Sequence, residues 1–164
     1  MTREDTGFAL KLHHLLNEDL ILLDLQSQDR DGALQEVVQF IQARRTDVAD
    51  KGLYEMFLQR EKLGSTAVRD GYAIPHCKVW GVDPPLISLA VSKKGIHFDS
   101  VDGKPSYIFF VVVSSADNPS LNIQILAVVA QLIRKSRHLL KKISWAQTSR
   151  EILDIIREEE EKLP

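Results

Sequence analysis

Residues 107–113 read Tyr-Ile-Phe-Phe-Val-Val-Val (YIFFVVV). Every side chain is aromatic or β-branched, and no polar residue, glycine or proline interrupts the run. Such residues suit the pleated surface of a strand. A strand with one wet face would alternate apolar with polar residues, so an unbroken run has to be covered on both faces. The segment reads as a central strand with a layer of structure on each side. The rest of the chain must supply both layers.

Immediately upstream, Phe98 to Pro105 (FDSVDGKP) carries the Asp-Gly signal of a turn. Before it, Leu86 to Ser92 (LISLAVS) is a second strand. The stretch from Ser65 to Val82 contains Gly71, Pro75 and Gly81, which restricts it to short strands and turns. Lys51 to Leu63 is a helix with Leu53, Met56 and Phe57 on one face, stopped by Gly64. From Asp29 to Arg45, Leu34, Val37, Val38 and Ile41 form an amphipathic stripe behind an aspartate cap. Leu20 to Leu25 (LILLDL) reads as a buried strand.

Downstream, Asn118-Pro119 starts a helix, a capping residue followed by proline at the first helical position. Ile123, Leu126, Ala127 and Ala130 are expected on its inner face. A short basic helix follows around Arg137 to Ile143. Thr148-Ser149-Arg150-Glu151 has the capping-box pattern and opens a last helix through Ile152, Ile155 and Ile156. Its acidic end, Glu158 to Glu161, reads as a solvated terminus. Helices before and after a group of buried strands imply a single α/β domain with a mixed sheet covered on both faces.

The chain has 164 residues, 44% of them apolar, enough for one substantial core. Its net charge of −2 gives no electrostatic reason to expect nucleic acid or an anionic membrane, although a small local basic patch remains compatible with it. Cys77 is the only cysteine, so no intrachain disulfide forms. No apolar stretch approaches a bilayer span, and the start, MTREDTGFALKLHH, lacks an apolar secretory core. A cytoplasmic protein without membrane insertion is expected. No His, Cys, Asp and Glu residues stand at metal-ligand spacing, and no glycine-rich loop ends in Gly-Lys-Ser/Thr, so neither metal nor cofactor is expected.

Of the five histidines, only His76 lies in a segment with features of a built site. Pro75 precedes it, Gly71 allows close backbone approach, and Ser65 and Thr66 offer hydroxyls. Arg60 lies 16 residues upstream, placed to fold back beside the ring. A guanidinium, hydroxyls and backbone amides are the groups that hold a phosphoryl group near an imidazole. Neutral imidazole is itself nucleophilic near pH 7. On the residues alone two readings stand together. His76 is a nucleophile, or it is a turn residue at a strand end with Arg60 and Glu61 as a helix-surface pair. Cys77 is an oxidation-sensitive neighbour or a buried small residue, and Trp80 a partner surface or a core or rim aromatic. His13 and His14 face solvent or pack on the first strand.

Arg60-Glu61-Lys62-Leu63-Gly64-Ser65-Thr66, followed by Asp70-Gly71-Tyr72-Ala73-Ile74-Pro75-His76, resembles the signature of the IIA domains of the phosphoenolpyruvate-dependent phosphotransferase system. The fructose/mannitol class, which includes the nitrogen-regulatory IIA proteins, is the most similar. Asp102-Gly103-Lys104-Pro105 leading into Ile108 to Val111 resembles the family's next strand. The resemblance implies a three-layer α/β/α sandwich over residues 1–164, with residues 1–12 as a peripheral extension. It makes His76 the phosphorylated residue and Arg60 the side chain that steadies the phosphoryl group. Ser65 and Thr66 would line the pocket, and Gly71 would shape its approach. The family usually has a second histidine in a His-Leu-x-x-Leu context. Here Asn122 stands in its place, able to donate a hydrogen bond but not to carry charge.

The function implied is that of a phosphoryl carrier, a phosphotransferase component with a transient phosphohistidine. It would be loaded by the histidine-containing phosphocarrier protein and would signal to a regulatory target, as a nitrogen-type IIA. The alternatives are a sugar-transport IIA passing phosphate to a IIB component, and a non-phosphorylated protein-binding module of the same fold.

Overall fold

A computed structural model describes residues 10–164. In chain order its elements are α1 (Leu12–Leu15), β1 (Leu16–Leu22), α2 (Arg30–Arg44), α3 (Leu53–Lys62), β2 (Tyr72–Ala73), β3 (His76–Val79), β4 (Leu86–Ile96), β5 (Ser106–Ser115), α4 (Pro119–Lys135), α5 (Leu139–Trp145) and α6 (Ser149–Glu161). Short 3-10 turns occupy Thr46–Val48 and Arg69–Gly71.

The strand read from YIFFVVV is the centre of the sheet. β5 pairs antiparallel with β4 on one side, and β1 runs parallel to β4 at the edge. On its other side β5 pairs in parallel with β2 at Ile108 and Phe109, then with β3 from Val112 to Ser115. The sheet is therefore mixed. Phe109, Val111 and Val113 enter the core beneath α2 and α3. Ile108, Phe110 and Val112 enter the core beneath α1, α4, α5 and α6. One strand with two-residue alternation feeds both cores, which is why its sequence has no polar positions. The result is the three-layer α/β/α arrangement.

α2 begins where Asp29 accepts the Gly32 N–H at 2.7 Å, and it buries Leu34, Val37, Val38 and Ile41 as its spacing predicts. α6 begins at Thr148, which accepts the Glu151 N–H at 3.1 Å. The Glu151 carboxylate reaches back to the Gln147 N–H at 3.1 Å, one residue beyond the standard box.

Several expectations need correction. The first strand starts at Leu16 rather than Leu20 and ends at Leu22 rather than Leu25. A register shift between Leu16 and Ile21 turns Asn17, Glu18 and Asp19 outward, and those polar residues hid the strand's start. α4 turns a different face inward. Its buried residues are Asn122, Ile125, Val129 and Leu132, whereas Ile123 is exposed. Apolar residues surround most of this helix, so spacing alone did not select the face.

The acidic end of α6 is not a solvated terminus. Glu159 and Glu160 are buried. Glu160 accepts the Leu12 N–H at 2.6 Å and the His13 N–H at 2.8 Å, and lies 2.6 Å from His13 Nδ1. It supplies acceptors that the first turn of α1 lacks. Of the expected peripheral extension, residues 1–9 lie outside the described residues. At its inner end Leu12 is buried in the core.

Candidate functional site

Leu53, Phe57 and Glu61 fall four residues apart and form the buried stripe of α3. Met56, Gln59, Arg60 and Leu63 occupy the adjoining stripe. With His76, Cys77, Lys78 and Asn122 they line an open cleft of about 530 Å³. The cleft thus lies between α3, the start of β3 and the first turns of α4.

His76 is the first residue of β3, opposite Val112 of β5. The Pro75 carbonyl accepts the Val112 N–H at 2.9 Å, which fixes the backbone entering the strand. His76 Nδ1 lies 2.7 Å from the Ile74 carbonyl oxygen. A carbonyl only accepts, so Nδ1 carries the proton and Nε2 keeps its lone pair. Arg60 confirms that tautomer, since its Nε–H donates to Nε2 at 3.3 Å. A second guanidinium nitrogen, Nη1, donates to the Gly64 carbonyl at 2.7 Å and holds the fork in place.

Partial burial lowers the His76 pKa below its ordinary 6.5. The hydrogen bond to Ile74 opposes that shift, and the positive charges of Arg60 and Lys78 add to it. The net effect keeps the imidazole neutral near pH 7, the form in which Nε2 is a nucleophile.

Asn122 is buried, and its Oδ1 accepts the Ser114 hydroxyl at 2.7 Å. With Oδ1 engaged, its NH₂ group is the end left to donate into the cleft. It is therefore not an incidental exposed helix residue. Cys77 is buried, and burial pushes its thiol up to about 12, so it is an inert neighbour. Trp80 is exposed but does not line the cleft.

Three residues expected in the pocket are elsewhere. The Ser65 hydroxyl donates to the Phe98 carbonyl and accepts the Ala67 N–H at 3.0 Å. Thr66 is buried, with its hydroxyl donating to Glu61 and its N–H reaching the same carboxylate at 3.0 Å. Gly71 has φ +92° and packs against the α4–α6 side. A Cβ there would come within 2.7 Å of Leu140 Cδ1. All three shape the loop that delivers His76 and do not face the cleft. Glu61 is correspondingly not the partner of Arg60 in a surface pair.

Sequence reasoning did not name Met56, Gln59, Leu63 and Lys78 as lining residues. Helical spacing around Arg60 was the available signal for Met56 and Leu63. For Lys78 it was the two-residue step from His76 along a strand.

Residues 14–159 match the family model described as phosphoenolpyruvate-dependent sugar phosphotransferase system, EIIA 2. The chain belongs to that family. A nitrogen regulatory protein of Bradyrhizobium diazoefficiens is 30% identical to this IIA domain over 142 residues, covering 87% of this chain and 92% of the relative. The fructose-specific EIIABC component of Bacillus subtilis is 28% identical over 148 residues. That alignment covers 90% of this chain but spans only 23% of the longer protein. The crystal structure of the nitrogen regulatory protein IIA-Ntr of Neisseria meningitidis superposes with a TM-score of 0.78, at 23% identity, over 88% of this chain and 98% of that one. The sandwich of this IIA domain is thus the fold seen there. No helix among its described residues is long and apolar enough to cross a membrane.

Proposed function

We propose that this IIA domain carries a phosphoryl group on Nε2 of His76, and that the chain acts as one such unit in the cytoplasm. The observation that carries the reading is the tautomer. Nδ1–H is committed to the Ile74 carbonyl, and the unprotonated Nε2 accepts from the Arg60 Nε–H in an open cleft. The donor is the phosphorylated histidine of the phosphocarrier protein. Its P–N bond breaks as the P–Nε2 bond forms, the donor imidazole leaves with its electron pair, and the Nδ1 proton stays on His76. Little other covalent work is required, so alignment and charge do most of the catalysis. Arg60 releases Nε2 to the phosphorus and donates to the phosphoryl oxygens instead. The Asn122 NH₂ group is the second donor.

The regulatory, nitrogen-type version is favoured by relatives of similar length that carry the nitrogen-regulatory name. The second reading, a sugar-transport IIA delivering phosphate to a IIB component, is supported by the similarity to the fructose EIIABC component.

Intact-mass measurement after mixing with phosphoenolpyruvate, the system's first enzyme and the carrier protein tests the proposal. One added phosphate, absent in His76→Ala, is expected. No addition under conditions that label a control IIA domain contradicts it.

A further inference from the structure

We propose that Glu61 is a positioning residue that fixes the tautomer and orientation of His76 through Thr66 and Ile74. The inference rests on the reading of His76 as phosphoryl acceptor, and it assigns to a buried carboxylate a task that the transfer step itself leaves open.

The path consists of hydrogen bonds with defined direction. One Glu61 oxygen accepts the Thr66 N–H at 3.0 Å, and the other accepts the Thr66 hydroxyl. The Thr66 carbonyl then accepts the Ile74 N–H at 3.0 Å. The Ile74 carbonyl accepts the Nδ1–H of His76 at 2.7 Å. Ile74 precedes Pro75, which limits its backbone to extended conformations, so holding its N–H also aims its carbonyl. A carboxylate can accept from both the N–H and the O–H of one residue, and this double grip sets both the position and the rotation of Thr66.

The geometry gives α3 control of both ring nitrogens. Arg60 reaches Nε2 directly, and the next residue, Glu61, reaches the acceptor of Nδ1 through two backbone links. Arg60 marks where the phosphoryl group arrives. Glu61 determines which nitrogen is free to receive it. Without the grip on Thr66, the Ile74 carbonyl is held from the Pro75 side alone, its alignment on Nδ1–H loosens, and the share of molecules with a nucleophilic Nε2 falls. Glu61 touches neither phosphoryl group nor reacting atom, so it is not catalytic.

Nitrogen-15 NMR of the His76 ring in the unphosphorylated protein at pH 7.5 tests the relay without any transfer reaction. Wild type is expected to show Nδ1 protonated and Nε2 bare. Glu61→Gln keeps an acceptor for the Thr66 N–H and should retain that pattern. Glu61→Leu should show a tautomer mixture, and its phosphorylation rate should fall about ten- to hundredfold, the loss that misplacing a reacting group brings. Glu61→Asp withdraws the carboxylate by one methylene and should give an intermediate mixture. It provides the readout if Glu61→Leu does not fold. A pure Nδ1–H tautomer in the folded Leu and Asp variants overturns the proposal. So does an equal mixture in Glu61→Gln and Glu61→Leu. A wild-type protein that takes no phosphate overturns the proposed function instead, and the ring spectra then still decide the relay.

Discussion

His76 holds its proton on Nδ1 and sits beside two cations, and both facts have consequences that can be measured. Its folded pKa lies below 6.5, with burial the main cause and Arg60 and Lys78 adding to it. An NMR titration should therefore give a midpoint below 6.5, moving upward in Arg60→Gln as one repelling charge is removed. A wild-type midpoint at or above 6.5 contradicts the electrostatic account. Because the unfolded chain takes this proton first, the stability contributed by neutral His76 is present above pH 6.5 and is lost as pH falls toward the folded value. Asn122 permits a second test. Asn122→Asp keeps the acceptor for Ser114 but replaces the NH₂ donor with an anionic oxygen. Phosphorylation should slow about ten- to hundredfold, which corresponds to the 1.5–3 kcal/mol of a hydrogen bond to a charged group. An unchanged rate would remove Asn122 from the site. The residues alone left His76 a nucleophile or a turn residue; the family resemblance paired it with Arg60, and the fold brings the two together. Ser65 and Thr66 were misplaced because their partners, the Phe98 carbonyl and Glu61, meet them only after the loop has folded.

Among the elements, α6 departs furthest from its sequence. Four consecutive glutamates suggest a face in water, yet two of them turn inward. Desolvation acts to raise the pKa of Glu159, but hydrogen bonds from Lys142, Lys162 and Ser136 outweigh it and hold the carboxyl at about 2. Lys142 Nζ lies 2.7 Å and Lys162 Nζ 2.9 Å from the same oxygen. The unfolded chain protonates this group near 4.5, so its contribution should be intact above that pH and decline as pH falls toward 2. Glu159→Gln should flatten that part of the stability profile in urea unfolding. An identical acid slope would mean that the cluster contributes nothing. Patterning failed here for a physical reason: a helix period places residues on a face but does not reveal a lysine or a backbone amide waiting there. The same limit applied to α4, where several apolar faces competed and the one carrying Asn122 was selected by Ser114 and the sheet. α2, with one narrow stripe and one cap, was legible almost to the residue.

For the molecule as a whole, the deciding feature is that β5 belongs to both cores. Phe110 is fully buried on the α4–α6 side, with its ring 6.4 Å from that of Tyr72. Phe110→Ala should cost about 3–5 kcal/mol, as large aromatic truncations in cores do. Calorimetry should still show one transition, because the strand that loses packing also carries the other layer. Two separate transitions would mean that the layers unfold independently. The architecture was legible from YIFFVVV together with the helices that flank the strands. The edge was less so: β1 bends out of register, and α1 is held by contacts from the opposite end of the chain.

That last contact has a consequence of its own. Leu12 and Glu160, 148 positions apart in sequence, are hydrogen-bonded neighbours. A folded unit whose first and last elements lie side by side can be spliced into a host polypeptide at a single point without prising the host open. It should also tolerate a short linker joining the neighbourhoods of Leu12 and Glu160, with new ends cut elsewhere on its surface. The same clasp that closes the helical layer predicts a domain that can be moved as a cassette.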